Sequence, residues 1–101
     1  MKYKILIRAE AEDDLREAFL WYEDKRFGLG YDFLLQIEVG LKFIERNPKV
    51  HQVEYKGTRE HFVKRFPYKI IYFLENNKIV ILAVIHSKRN PLLLQKRIKN
   101  R

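Results

Sequence analysis

Residues 62–91 read FVKRFPYKIIYFLENNKIVILAVIHSKRNP, and the fold of the whole chain follows from them. Tyr68, Ile70, Tyr72 and Leu74 alternate with Lys69, Ile71, Phe73 and Glu75, which is the period of a strand. Ile79 to Ile85 is apolar at every position, so the strand it forms must be buried on both faces. Asn76-Asn77 joins the two as a two-residue loop of the type I′ class, where asparagine tolerates the positive φ required. The second strand then runs out into His86, Ser87, Lys88, Arg89, Asn90 and Pro91, where apolar burial gives way to hydrogen-bonding and cationic groups. That change at a strand end makes it the foremost candidate site.

Upstream of this stretch, Thr58 to Phe66 also alternates. As a strand it places Arg59, His61, Val63 and Arg65 on one face and Glu60, Phe62, Lys64 and Phe66 on the other. Pro67 cannot donate to a ladder and marks the bend into Tyr68. Residues 49–57 are irregular, with a short strand expected around Val53 and Tyr55 whose ends the pattern does not place.

The N-terminal half supplies the cover. Residues 2–8 alternate as a first strand, whose partner must lie in the β-rich half. Glu10, Glu12, Asp13 and Asp14 crowd a helix start, where carboxylates complement exposed amides and the helix dipole. Ala11, Leu15, Ala18, Phe19, Tyr22 and Arg26 follow at three- and four-residue spacing as one buried stripe, with Trp21 on its flank and Leu20 on the far side. Gly28 and Gly30 suit a tight turn between antiparallel helices. The second helix, from about Tyr31 to Arg46, has a stripe of Leu34, Ile37, Leu41 and Ile44 and another of Leu35, Val39 and Phe43. The second stripe is either internal core or a docking groove. Beyond Pro91, Leu92, Leu93, Leu94 and Ile98 outline a short C-terminal helix or tail lying on the sheet. The expected architecture is α+β: one domain over residues 1–101, a twisted antiparallel sheet in the order β-α-α-β-β-β, packed against an N-terminal helical hairpin.

Composition narrows the function. A chain of 101 residues that is 47% hydrophobic fits one core. No apolar run approaches the ~20 residues of a membrane span, and no signal-like segment opens the chain, so a cytoplasmic protein is expected. With no cysteine, disulfides, thiolate metal sites and a cysteine nucleophile are excluded. His51, His61 and His86 lack metal-ligand spacing, the few glycines form no phosphate-cradling loop, and neither metal nor cofactor is expected. Ser87, the only serine, follows His86 on the opposite face of a continuous strand, which disfavours a Ser-His dyad. The formal charge of +8 is polarised. Acids dominate from Glu10 to Arg26, whereas from His86 onward there are only bases: Lys88, Arg89, Lys96, Arg97, Lys99 and Arg101. Such a molecule draws an anionic partner to its basic end, a nucleic acid or an acidic protein segment.

Taken in order, EDDLREAFLWYEDKRFGLGYDFLLQIE on the helices and RFPYKIIYFLENNKIVILAVIHSKRNP on the hairpin resemble the RelE/ParE superfamily of bacterial type II toxins. Asp14-Leu15, Trp21-Tyr22, Gly28-Leu29-Gly30, Phe66-Pro67-Tyr68 and His86 through Pro91 carry the resemblance, which covers nearly the whole chain. It implies a toxin that arrests growth, associated with plasmid stabilization, and held inactive by an acidic, partly disordered antitoxin. ParE-like members poison DNA gyrase and RelE-like members cut messenger RNA on the ribosome. The long helical hairpin and the FPY-to-HxxRxP stretch resemble the ParE-like branch more closely, and no tyrosine follows His86 as the RelE pattern would have it.

Three functions therefore stand side by side: a ParE-like toxin that acts by binding a large target, a RelE-like ribosome-dependent endoribonuclease, and a non-toxic basic nucleic-acid-binding module. In the nuclease, the substrate's 2′-hydroxyl attacks, His86 shuttles the proton, and Arg59, Arg65 and Arg89 hold phosphate. The alternative for these residues is structural: His86 ends its strand by bonding a backbone group, and Arg89 pairs with an acid on the first helix. An acidic amphipathic antitoxin segment would meet Leu20, Trp21, Leu35, Val39 and Phe43 through apolar contacts and Lys64, Arg65 and Arg89 through charge. A homodimer or a hetero-oligomer with the antitoxin is compatible with such a surface.

Overall fold

The computed structural model describes residues 2–88 and 91–99. Four strands and three helices follow one another as β1 (Lys4–Ile7), α1 (Ala9–Lys25), α2 (Leu29–Arg46), β2 (Arg59–Phe62), β3 (Tyr68–Glu75), β4 (Lys78–His86) and α3 (Pro91–Lys99). They form one sheet in the order β1-β4-β3-β2. The all-apolar strand β4 therefore lies inside the sheet, as its composition demands. Its Ile79, Ile81 and Val84 face the helical hairpin together with Ile70 and Tyr72 of β3. Val80, Leu82, Ala83 and Ile85 face the other way with Ile71 and Phe73, and Ile98 of α3 packs on that outer layer. A fully buried isoleucine or leucine contributes about 2 kcal/mol, so two filled faces make β4 the main source of stability.

The hairpin closes through Asn76-Asn77, with Glu75 opposite Lys78. Asn76 takes a positive φ of 58°, whereas a type I′ loop would ask the same of Asn77. Ile71 pairs with Ala83 and Tyr72 with Ile81, so Leu82 is an extra residue in β4, a bulge. β1 runs parallel to β4 while the other two pairs are antiparallel. Two helices and two strands intervene between β1 and β4, so no short turn forces the opposite direction.

The hairpin of α1 and α2 turns at Gly28, whose φ of 88° favours glycine. The Glu23 carboxylate accepts hydrogen bonds from the amides of Gly28 and Gly30 at 2.8 and 2.9 Å, capping α2 from the preceding helix. A Cβ on Gly30 would lie 2.7 Å from the Phe19 carbonyl, so this glycine sets how closely the helices approach.

Several sequence expectations change in register. The core positions of α2 are Phe33, Ile37, Gly40 and Ile44, and Leu34 turns partly to solvent. Arg26 ends α1 exposed instead of completing its buried stripe. No strand forms around Val53 and Tyr55; both are exposed, and the segment holds one 3-10 turn at Tyr55–Gly57 with Lys56 at φ 56°. β2 stops at Phe62 because the chain bends: Arg65 takes φ 71°, which returns Phe66 to the core against Tyr22 and Phe33. Arg65 therefore does not share a strand face with Arg59 and His61. The C-terminal helix forms as expected, but the side chains of Leu92, Leu93 and Leu94 lie outside the described residues.

Candidate functional site

β1 ends at Ile7, and the last bond on that side of β4 is from the Arg8 amide to the Ile81 carbonyl at 3.1 Å. The rest of β4 would present bare amides and carbonyls at a sheet edge, which is costly when half-buried. Asp14 of α1 covers it by accepting the Val84 amide at 2.9 Å. Arg97 of α3 donates to both oxygens of the same carboxylate, Nη1 to Oδ2 at 2.5 Å and Nη2 to Oδ1 at 2.8 Å. Its Nη1 also reaches the carbonyl of Leu82, the bulge residue, at 3.4 Å. A bidentate pair of this kind combines charge with fixed geometry. The bond to Asp14 raises the Arg97 pKa, against the opposing effect of burial.

Above this pair opens a cleft of about 600 Å³ between α1 and the exit of the β3-β4 hairpin. α1 contributes Asp14, Glu17, Trp21 and Tyr22, the hairpin contributes Tyr68, Val84 and His86, and Arg97 of α3 joins the lining. Tyr22 stands at the centre of an aromatic nest, with Trp21, Phe33, Phe66 and Tyr68 at centroid distances of 5.1, 5.3, 5.0 and 6.0 Å. Burial first, and the nearby Tyr68 second, push the Tyr22 phenol above its ordinary range. It is a hydrogen-bond donor at neutral pH, not a base. His86 lies 5.7 Å from the Tyr68 ring, and its Nδ1 accepts the Lys88 amide at 3.2 Å. That is the strand-ending role the sequence offered as the alternative to proton transfer.

Among the described residues, the structure does not gather the other cationic candidates around His86. Arg59 donates through Nη1 to the carbonyls of Lys49 and His51 at 3.2 and 2.5 Å, stapling the loop after α2. Arg65 lines a different depression, beside Leu35, Asp32 and Phe66. Lys64 is exposed on the same bend, and Arg89 lies outside the described residues. Of the apolar candidates, Leu20, Trp21, Leu35 and Val39 are half-exposed or more, whereas Phe43 packs against His51 and His61. The second stripe of α2 is thus divided: Phe43 is covered, and Leu35 and Val39 face outward.

Sequence reasoning missed Asp14, Glu17, Tyr22, Tyr68 and Arg97 as walls of one site. In sequence the helix dipole accounts for the acidic start of α1, and Arg97 counts only as one of the bases of the C-terminal end. Among the described residues an acid on α1 does pair with a C-terminal base, Asp14 with Arg97; the expected pairing of Arg89 lies outside the described residues. Local pattern does not make neighbours of the His51 and His61 imidazoles, because the two lie ten positions apart across a largely irregular loop. Nε2 of His51 and Nδ1 of His61 are 2.9 Å apart, in a niche that Gly40 leaves open.

This pair sets a pH dependence. Burial and then Arg59 lower the His51 pKa below 6.5, and burial, His51 and Lys64 lower that of His61. The folded domain therefore binds fewer protons than the unfolded chain just below that value. The contribution is fully present above pH 6.5 and is lost as pH falls below it. Denaturant midpoints are expected to decline from about pH 7 to about pH 5, above the carboxylate range. The double variant His51→Gln/His61→Gln should flatten that decline; an equal slope in the variant would assign it elsewhere.

Among the described residues no helix is long and apolar enough to cross a membrane, and no group of three or more metal-ligating side chains occurs. Residues 5–91 match the family model described as the ParE toxin of the type II toxin-antitoxin system, parDE. Toxin ParE2 of Mycobacterium tuberculosis is 28% identical over 102 aligned positions, covering 100% of this chain and 97% of that relative. The fold is shared with the chromosomal ParDE toxin-antitoxin system from P. aeruginosa (TM-score 0.72, 18% identity, 84% of this chain and 96% of that one). It is shared as well with E. coli toxin RelE in its free state (TM-score 0.69, 11% identity, 99% and 98%).

Proposed function

This chain belongs to the ParE toxin family of type II toxin-antitoxin systems, and from that premise we infer that it arrests growth by binding a macromolecular target of the DNA-gyrase kind. One observation carries the choice against RNA cleavage: Arg59 is spent on the loop carbonyls of Lys49 and His51 and Arg65 lies in another depression, so neither faces His86. Cleavage without a metal needs a proton shuttle and cations converging on one phosphate. Among the described residues, the cation lining the His86 cleft is Arg97, which Asp14 already neutralises. A binding toxin needs only a stable shape and an accessible surface.

Neutralisation by an acidic antitoxin segment fits the outward face of the helical hairpin. Leu20, Leu35 and Val39 offer apolar contact there, and Arg65 adjoins Leu35 in the depression it lines. Lys64 on the same bend adds charge. Inducing the protein in cells, and mapping transcript 5′ ends and DNA breaks in parallel, tests the target. DNA damage with intact messages is the expected result. Codon-positioned cuts, abolished by His86→Ala, would instead assign the nuclease.

A further inference from the structure

The cleft beneath Trp21 has a chemistry opposite to that of the molecule as a whole. The chain carries a net charge of +8, yet Glu10, Asp14 and Glu17 of α1 all act on the single Arg97 guanidinium. Two of these carboxylates have partners: Asp14 binds Arg97 itself, and Glu10 lies 3.8 Å from Arg8. Glu17 acts on Arg97 only through space and has no hydrogen-bond or close ion-pair partner among the described residues. It lines the cleft, exposed, beside the indole of Trp21 and the rings of Tyr22 and Tyr68. Trp21 is itself 56% exposed, unusual for an indole that already touches a core aromatic. Lys25 of the same helix places its ammonium 4.8 Å from the Trp21 ring centroid, so this ring already attracts a cation.

An exposed carboxylate with no hydrogen-bonded partner among the described residues, set beside aromatic faces, is complementary to a guanidinium, which stacks flat on rings and binds carboxylate through two parallel N–H bonds. It is ill matched to phosphate, which Glu17 would repel. We propose that the cleft between α1 and the β3-β4 exit receives an arginine side chain presented by a partner protein, held by the Glu17 carboxylate and the Trp21, Tyr22 and Tyr68 rings. The acceptor lies on the acidic flank of the molecule, so a partner that is acidic elsewhere would need one basic residue at this point. The proposal is independent of whether the toxin's target is gyrase or the ribosome.

Trp21 is the only tryptophan, which makes its emission a direct reporter of this cleft. The intact protein is titrated with a capped peptide carrying one central arginine, its citrulline isostere and its glutamate counterpart. The arginine peptide should shift the emission saturably. The citrulline peptide, of nearly the same shape but with a neutral urea in place of the guanidinium, should bind about tenfold more weakly. Glu17→Gln, an exposed change that leaves the fold intact, should erase that tenfold difference, and added salt should diminish it. Equal binding of arginine and citrulline peptides would reduce the cleft to an apolar groove and overturn the proposal. Preference for the glutamate peptide, or no saturable shift with any of them, would overturn it as well.

Discussion

Asp14→Ala is expected to lower the unfolding free energy by about 3 kcal/mol, the usual loss when one partner of a largely buried ion pair is removed. The side chains of Arg97 and Asp14 are only 15% and 13% exposed, so the surviving guanidinium could not simply turn to water. The Val84 amide would also lose its acceptor at the one part of the β4 edge that β1 does not cover. In a domain of this size the change corresponds to a melting temperature lower by roughly 12–24 °C. Arg97→Met provides the cycle: adding it to Asp14→Ala should recover part of the loss, because no unpaired charge remains. Strict additivity, with single losses below about 1 kcal/mol, would mean the pair behaves like an exposed surface bridge and does not hold α3 to α1.

Phe33→Ala should be comparably severe, costing about 4 kcal/mol through lost burial and the cavity left behind. Phe33 is fully buried and lies 5.3, 5.4 and 5.1 Å from the rings of Tyr22, Phe66 and Tyr68. It is the floor on which the cleft aromatics rest. Its removal should therefore disturb Trp21 emission through Tyr22, although Trp21 is not among its ring neighbours. Phe33→Leu, which keeps most of the volume, should cost less than half as much and leave the emission nearly unchanged. A Phe33→Ala variant that lost under about 2 kcal/mol with unaltered emission would show that the nest repacks freely.

The placement of the site residues separates what local pattern reports from what it omits. Alternation in Tyr68–Glu75 and the unbroken apolar run to Ile85 were sufficient to put β4 inside the sheet, since a strand without a polar face has no surface position open to it. Trp21 and His86 were both singled out in sequence, yet for different surfaces; the packing of α1 on β4 brings them to one cleft. Arg59, His61, Val63 and Arg65 formed an orderly alternating face, and the bend at Arg65 removed the last of them from it. Alternation cannot report such a bend, because it is imposed by Phe66, which must return to the aromatic core. The superfamily expectation rested on motifs spread along both halves, and the match over residues 5–91 agrees with it.

What the order of residues settled was the buried character of β3 and β4, because burial in a strand repeats with the period of the backbone itself. Which cation would meet Asp14 was left to the packed molecule. In a linear view Arg97 is one of several C-terminal cations, and the bulge at Leu82 and the docking of Ile98 on the outer sheet bring it to α1. Electrostatic partners are chosen by distance in space, and across the 83 positions that separate Asp14 from Arg97 the chain's local periodicities carry no information about that distance.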